Sequence, residues 1–319
     1  MISSRIRRLW NAYAPEIVVT ILLILAFVIS GWREPRFLDA AYLFDRSTLY
    51  TEIGLLTLSM TLIIVAGHID LSVTSIIAFV GAIIATLYSR YGIPFWLLIP
   101  LAPVFGGFLG AVNGYFVARR NLPSLVVTLA TMALYRGMAQ ILLGDSSLMT
   151  PPDYTGIERV TLPHTYLHTP LVIWITLCLV FAALLHRTVF GRYITVTGVN
   201  PEAALYSGVP VAQTLIRLFT LSGAMAGVCS VLLLSRLGVA RYDHARGWEL
   251  DVITAVVLGG TSIFGGRGTI YGSVVAFLLI TIVQTGMGVA GVKAEIQVTA
   301  IGLLLLLAVL LSRLTSGRK

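Results

Sequence analysis

Residues 249–272 read ELDVITAVVLGGTSIFGGRGTIYG, and the rest of the chain can be understood outward from them. Glu249 and Asp251 head the apolar segment Val252 to Leu258. Gly259, Gly260, Gly265, Gly266 and Gly268 then crowd one turn, and a second apolar run begins near Ile270. Two apolar segments joined by so many glycines predict close packing around non-helical backbone. At membrane depth such backbone is tolerated only where protein buries it or water reaches it. The turn therefore belongs inside a polytopic bundle and not on a lipid face.

Neither nucleotide reading of these glycines holds. Gly260 and Gly265 have P-loop spacing, but Gly266 and Arg267 stand where Lys and Ser or Thr are required. Gly266 and Gly268 open a dinucleotide fingerprint whose last glycine is replaced by Tyr271, and no soluble strand-turn-helix context surrounds it.

Composition places the chain in a membrane. Hydrophobic residues make up 57% and charged residues 11%, against roughly 25% charged in soluble domains. At roughly 20 residues per span plus loops, the length allows about ten helices in one domain over residues 1–319. The expected fold is thus all-α, a multi-pass integral membrane protein. The net charge of +8 points to orientation and anionic lipid; nucleic acid is the weaker reading, because the arginines are scattered among many loops, and none is expected as a partner. Cys178 and Cys229 lie in apolar runs and read as buried small side chains, and no metal site is expected.

Arg5, Arg7 and Arg8 precede a first apolar run, Ile17 to Ser30. No small-residue cleavage site follows it, so it reads as an uncleaved helix with a cytoplasmic N-terminus and not as a signal peptide. Arg119 and Arg120 in a short loop, with Arg313, Arg318 and Lys319 at the end, favour both termini inside. A second run, Ile53 to Ala66, leads to Asp70, an ionisable group between apolar stretches that is expected to face the bundle interior. Glu52 and Arg136 are further intramembrane or interfacial charges. On this topology both fall in the outer half of the bilayer, so they are expected to pair with each other or snorkel outward. Gly106, Gly110 and Gly114 recur every four residues and form a smooth stripe for a close helix crossing; Gly223 and Gly227 form a second small pair. The run Val252 to Leu258 supplies an eighth span, and Ile296 to Leu311 a tenth.

Two long connections interrupt the spans. Residues 144–169 form an external loop in which His164 and His168 are ordinary surface histidines, since flanking prolines oppose a helix that would pair them on a metal. Residues 186–214 form a cytoplasmic loop. Within it Asn200 is a suitable N-cap, Pro201 fits the first helical position and Gly208 suits a terminator. Glu202, Ala203, Ala204, Leu205, Tyr206 and Ser207 then make a short helix. It either docks a partner or lies on the membrane surface.

Four segments together resemble the permease subunits of bacterial ABC sugar importers of the ribose, xylose, rhamnose and autoinducer-2 type, related to branched-chain amino-acid permeases. They are GHIDLSVTS (67–75), AVNGYFVARRNLPSLVVTLATM (111–132), VNPEAALYSGVPV (199–211) and the opening stretch, and they stand in the family's order. His68 and Thr74 replace two glycines of the family pattern GGIDLSVGS. The resemblance implies a bacterial inner-membrane permease with about ten spans, paired with a second permease chain, identical or homologous. It also implies two cytoplasmic ATP-binding subunits and a periplasmic solute-binding protein. ATP would sit on the partner subunits and no cofactor on this chain, which would not itself be an enzyme. The segment Asn200 to Gly208 would then be the coupling helix. Candidate pathway-lining residues are Asn113, Thr128, Thr131, Gln140 and Gln284, each of which could instead be an interhelical hydrogen bond, the more common role for a polar residue in a bundle. The alternative is an ion-coupled secondary transporter relaying protons through Glu52, Asp70 and Arg136. A membrane-embedded enzyme using His68, Asp70 and Ser72 is disfavoured, because all three crowd one turn.

Overall fold

The structure is a computed structural model. It describes residues 2–303 and 306, apart from 145, 152–153, 155–159, 163–164, 166 and 294. In chain order the helices are α1 (Ile2–Arg33), α2 (Ala40–Thr48), α3 (Thr51–Val65), α4 (Val73–Tyr91), α5 (Phe95–Leu98), α6 (Leu101–Arg120) and α7 (Ser124–Leu143). They continue as α8 (Thr169–Arg187), α9 (Val189–Val199), α10 (Pro201–Tyr206), α11 (Val211–Leu237), α12 (Trp248–Leu258) and α13 (Ile270–Val289). Two short strands, β1 (Leu148–Met149) and β2 (Val239–Ala240), pair antiparallel. Residues 295–303 are again helical.

The centre of the bundle is α3. All fifteen of its residues are buried, from Thr51 to Val65. A helix that is apolar all round has no face to offer water, and it is stable only when neighbours cover every side. Here α8, α9, α11, α12 and α13 do so. At about 1.5 Å per residue α3 is only about 22 Å long, short of the ~30 Å hydrocarbon core. It is preceded by α2, bent from it by 64°.

Among the described residues seven helices are long and apolar enough to cross a membrane, or eight if α2 and α3 count as one broken span. That is fewer than the sequence reading expects. The clearest correction is Val252 to Leu258: α12 has 11 residues, about 16 Å, and stops at the glycine turn well before a full crossing. The last apolar run lies partly outside the described residues, as do His164, Arg313, Arg318 and Lys319.

The most extensive helix pair is α6 against α11. The two glycine stripes meet there: a Cβ on Gly106 would strike the carbonyl of Gly223, one on Gly110 the carbonyl of Phe219, and one on Gly227 the carbonyl of Ala102. Small residues let the backbones approach, so dispersion contacts replace the hydrophobic drive that lipid cannot supply. On the flank, Val19 of α1 packs with Val275, Ala276 and Leu279 of α13.

Leu148, Met149 and Tyr154 are pinned to the bundle by contacts invisible in the sequence. Leu148 and Met149 pair with Ala240 and Val239. The Tyr154 hydroxyl donates to the Val231 carbonyl at 2.6 Å, and Ser235 Oγ donates to the Tyr154 carbonyl at 2.9 Å.

Candidate functional site

Two breaks in the helices meet, and the glycine turn there is only partly enclosed, with Phe264 72% exposed. The first is the turn Gly67 to Ser72 between α3 and α4. Asp70 is fully buried there. Its Oδ1 accepts from the Ser72 backbone N–H at 3.1 Å and the Ser72 hydroxyl at 2.6 Å, and its Oδ2 from the Ser222 hydroxyl of α11 at 3.0 Å. Asn113 Nδ2 of α6 donates to Ser72 Oγ at 2.7 Å. The carboxylate thus closes a tight turn just before α4 and, with Asn113 on Ser72, ties α6 and α11 to it. Thr128 and Ser124, at the start of α7, hold the same turn through the backbone of Ile69.

The second break is the glycine turn after α12. Gly260, Gly265 and Gly266 have φ of 89°, 84° and 75°, the left-handed region that glycine alone enters without strain. The Gly266 N–H donates to the Val65 carbonyl at the end of α3, 2.8 Å away. A third segment closes the junction. Gly198, near the end of α9, lies so tightly against the Val65 carbonyl and the Gly266 N–H that a Cβ there would collide with both. The end of α3, the glycine turn and α9 therefore touch backbone to backbone.

From this junction the chain runs directly into α10. Asn200 Oδ1 accepts from the Ala203 N–H at 3.0 Å, Pro201 takes the first helical position, and Gly208 has φ of 81°. Ala204 is buried against the body, whereas Leu205 is 61% and Tyr206 91% exposed. The local geometry is the one the caps predict. The preceding α9, capped by Thr188 Oγ1 on the Gly191 N–H, was not anticipated. Its signal was present: a Thr followed by an apolar run ending at Asn200.

The remaining candidates separate. Thr131 bonds back to the Val127 carbonyl of its own helix at 3.0 Å. Gln284 is buried in α13. Gln140 lies near the end of α7.

Glu52 and Arg136 do not pair. Glu52 Oε1 accepts from Arg236 of α11, at 3.1 Å from Nε and 3.0 Å from Nη2. Arg136 instead donates to the carbonyls of Tyr242 and His244 at 2.8 and 2.6 Å, and to Thr74 Oγ1 at 3.5 Å. The expected pairing overlooked Arg236 because it sits at the very end of a long helix, where it reads as an interfacial residue. Arg136 satisfies its charge on the loop backbone. In that loop Asp243 is held below the usual carboxylate range by the hydrogen bond from Arg241, and burial pushes the His244 imidazole down.

The departures from the glycine pattern both find neighbours. Thr74 is the hydroxyl that receives Arg136, and the His68 ring lies edge-on to Phe219, centroids 6.2 Å apart.

Seven or eight spanning helices, two of their breaks joined and a capped helix projecting from that junction, define the architecture of a multi-pass membrane protein. Residues 42–310 match the family described as "Branched-chain amino acid transport system / permease component", and the chain belongs to that family. It is 34% identical over 307 residues to the "Autoinducer 2 import system permease protein LsrD" of Escherichia coli (strain K12), covering 93% of this chain and 91% of that one. The same identity holds over 308 residues with the protein of that name from Yersinia enterocolitica serotype O:8 / biotype 1B, covering 94% and 92%. No solved structure matches the chain.

Proposed function

We propose that this chain is the membrane permease subunit of an ATP-driven importer that carries autoinducer-2 or a related sugar-like solute from periplasm to cytoplasm. The observation that carries the reading is α10, a capped helix presenting Leu205 and Tyr206 outward. Behind it, α9 is in backbone contact with both helix breaks. Two cytoplasmic ATP-binding subunits would grip α10, one for each of two permease chains, and a periplasmic binding protein would deliver the solute. ATP closes the partner subunits. Their motion enters at α10, passes through Gly198 to the end of α3 and the glycine turn, and tilts the spans between outward and inward openings.

A sugar-like solute needs hydroxyl-matching donors and acceptors along its route, and weak binding so that it leaves. Asn113, Thr128, Thr131, Gln140 and Gln284 remain the candidates for that role, with Asn113 and Thr128 in their present positions serving as interhelical ties. Ion coupling has less support. Glu52 is engaged by Arg236, Asp70 by two serines, and Arg136 by two carbonyls and Thr74, so the three charges have separate partners and none bonds to another.

The test is uptake of labelled autoinducer-2 into cells carrying the permease with its neighbouring ATPase and binding protein. Uptake is expected to vanish when the ATPase carries a dead nucleotide site and to survive a protonophore. Uptake that collapses with the proton gradient and ignores the ATPase overturns the reading.

A further inference from the structure

A cavity of about 520 Å³ opens on the flank of the bundle, between α1, the end of α8 and the start of α13. Its size lies within the usual 300–1,000 Å³ of small-ligand sites. The polar groups around it are Glu16 and Thr20 of α1, His186 of α8, and Thr269 and Tyr271 at the start of α13. Ile17 and Ile21 supply an apolar wall.

The chemistry of the lining is specific. Glu16 Oε1 accepts from Thr269 Oγ1 at 3.3 Å, while Oε2 is shielded from water and has no hydrogen-bond partner among the described residues. A shielded carboxylate oxygen left without a donor costs free energy, because its lost hydration is not replaced. The hydroxyls of Thr20 and Tyr271 stand 3.2 Å apart on the same wall. The site thus offers one negative charge and several acceptors to something that donates hydrogen bonds and is positively charged.

Its position identifies the source. Glu16 begins the apolar run of α1, and His186 and Arg187 end the apolar run of α8. Both mark the depth at which a bilayer passes from hydrocarbon to headgroup. The wall of Ile17 and Ile21, 36% and 49% exposed, continues outward along α1 as an unpaired apolar face.

We propose that this cavity binds a phospholipid with a primary-amine headgroup, phosphatidylethanolamine, its ammonium on Glu16 and its acyl chains along the exposed face of α1. The ammonium supplies the donor that Oε2 lacks, and the Thr20 and Tyr271 hydroxyl oxygens accept its remaining N–H hydrogen bonds. A trimethylated choline headgroup has the charge but no N–H to donate, and a glycerol headgroup adds a net negative charge beside Glu16. The site also abuts the glycine turn: a Cβ on Gly260 would lie 2.6 Å from Pro15 Cβ and 3.9 Å from the Glu16 carboxyl carbon. Occupancy at Glu16 would therefore brace α1 against that turn.

Native mass spectrometry of the purified full-length permease, delipidated and titrated with phosphatidylethanolamine, phosphatidylcholine or phosphatidylglycerol of identical acyl chains, tests this. The ethanolamine lipid is expected to bind about tenfold more tightly than the choline lipid, the worth of one charge-assisted hydrogen bond. Glu16→Gln should abolish the preference, and Tyr271→Phe should reduce it. Should Glu16→Gln fail to insert, Tyr271→Phe decides alone, since Tyr271 is 58% exposed and the change removes only its hydroxyl. Equal retention of the three lipids, a preference for the glycerol lipid, or selectivity unchanged in either variant overturns the proposal. So does full competition by soluble phosphoethanolamine, which would make the site one for a free amine, or occlusion of Tyr271 from lipid by a second permease chain.

Discussion

Glu52 is held in the interior because Arg236 lies against it with two nitrogens on one carboxylate oxygen. Removing one partner of a buried pair leaves a charge with no compensation, at a cost of about 3–5 kcal/mol, whereas removing both can be nearly neutral. Arg236→Gln is therefore expected to lower the thermal stability of the detergent-purified permease strongly, and Glu52→Gln, Arg236→Gln together to lose less than the sum. The Glu52→Gln, Arg136→Gln double change should be additive. Additivity in the Arg236 cycle would mean the pair contributes nothing. Asp70 makes a separate demand. Ser222→Ala deletes a hydrogen bond to a fully buried carboxylate and is expected to cost about 1.5–3 kcal/mol. An unchanged melting temperature would show that the carboxylate is satisfied without α11. That Asp70 faces the interior was readable from one ionisable residue between apolar runs. Its serine partners were not, because Ser222 is 152 residues away and serines are common in such helices.

At the scale of elements, glycine spacing was the most informative signal. The Gly106, Gly110, Gly114 stripe and the Gly223, Gly227 pair were each visible as small residues every fourth position, and they turn out to face each other. What the spacing could not say is that one packs on the other. Gly110→Leu should separate α6 from α11, reduce the yield of folded permease and shift its melting transition downward. A normal melting profile with normal uptake would place the stripe against lipid. The α10 helix was equally readable, from Asn200, Pro201 and Gly208, because capping is local chemistry. Glu202→Ala and Tyr206→Ala lie on that helix, with Tyr206 almost wholly exposed. Both variants should insert normally yet lose ATPase co-purification or uptake. Uptake at the parental rate with the ATPase still bound would remove α10 from the coupling role. Helix lengths were the least legible feature. Apolar composition reads the same in α12, which stops after 11 residues, as in a helix that crosses.

For the molecule as a whole, the two interrupted segments and α9 form one junction. If α10 is the docking helix proposed above, it can move the spans only through contact with backbone able to change direction. Gly198 supplies the contact. Gly198→Val places a side chain into the Val65 carbonyl and the Gly266 N–H. It is expected to leave α10 and ATPase binding intact while uptake falls at least tenfold. Retained uptake would mean that force reaches the spans by another route, such as the direct contact of α10 with α11. The sequence announced the turn at Gly259 to Gly268 but not its partners, since Val65 and Gly198 belong to segments that look ordinary by themselves.

The complete enclosure of α3 has a consequence for synthesis. Glu52 precedes Arg236 by 184 residues. At about 5–20 residues per second a ribosome needs roughly ten to forty seconds to reach the arginine after making the glutamate. Throughout that interval a helix too short for the bilayer carries an acidic residue with its eventual counter-ion still unmade. The nascent chain must therefore shelter it, in the insertion machinery or against the early helices, and release it late. Ribosome-stalled chains ending before α11 should crosslink from α3 to the insertion machinery, and chains extended past α13 should not.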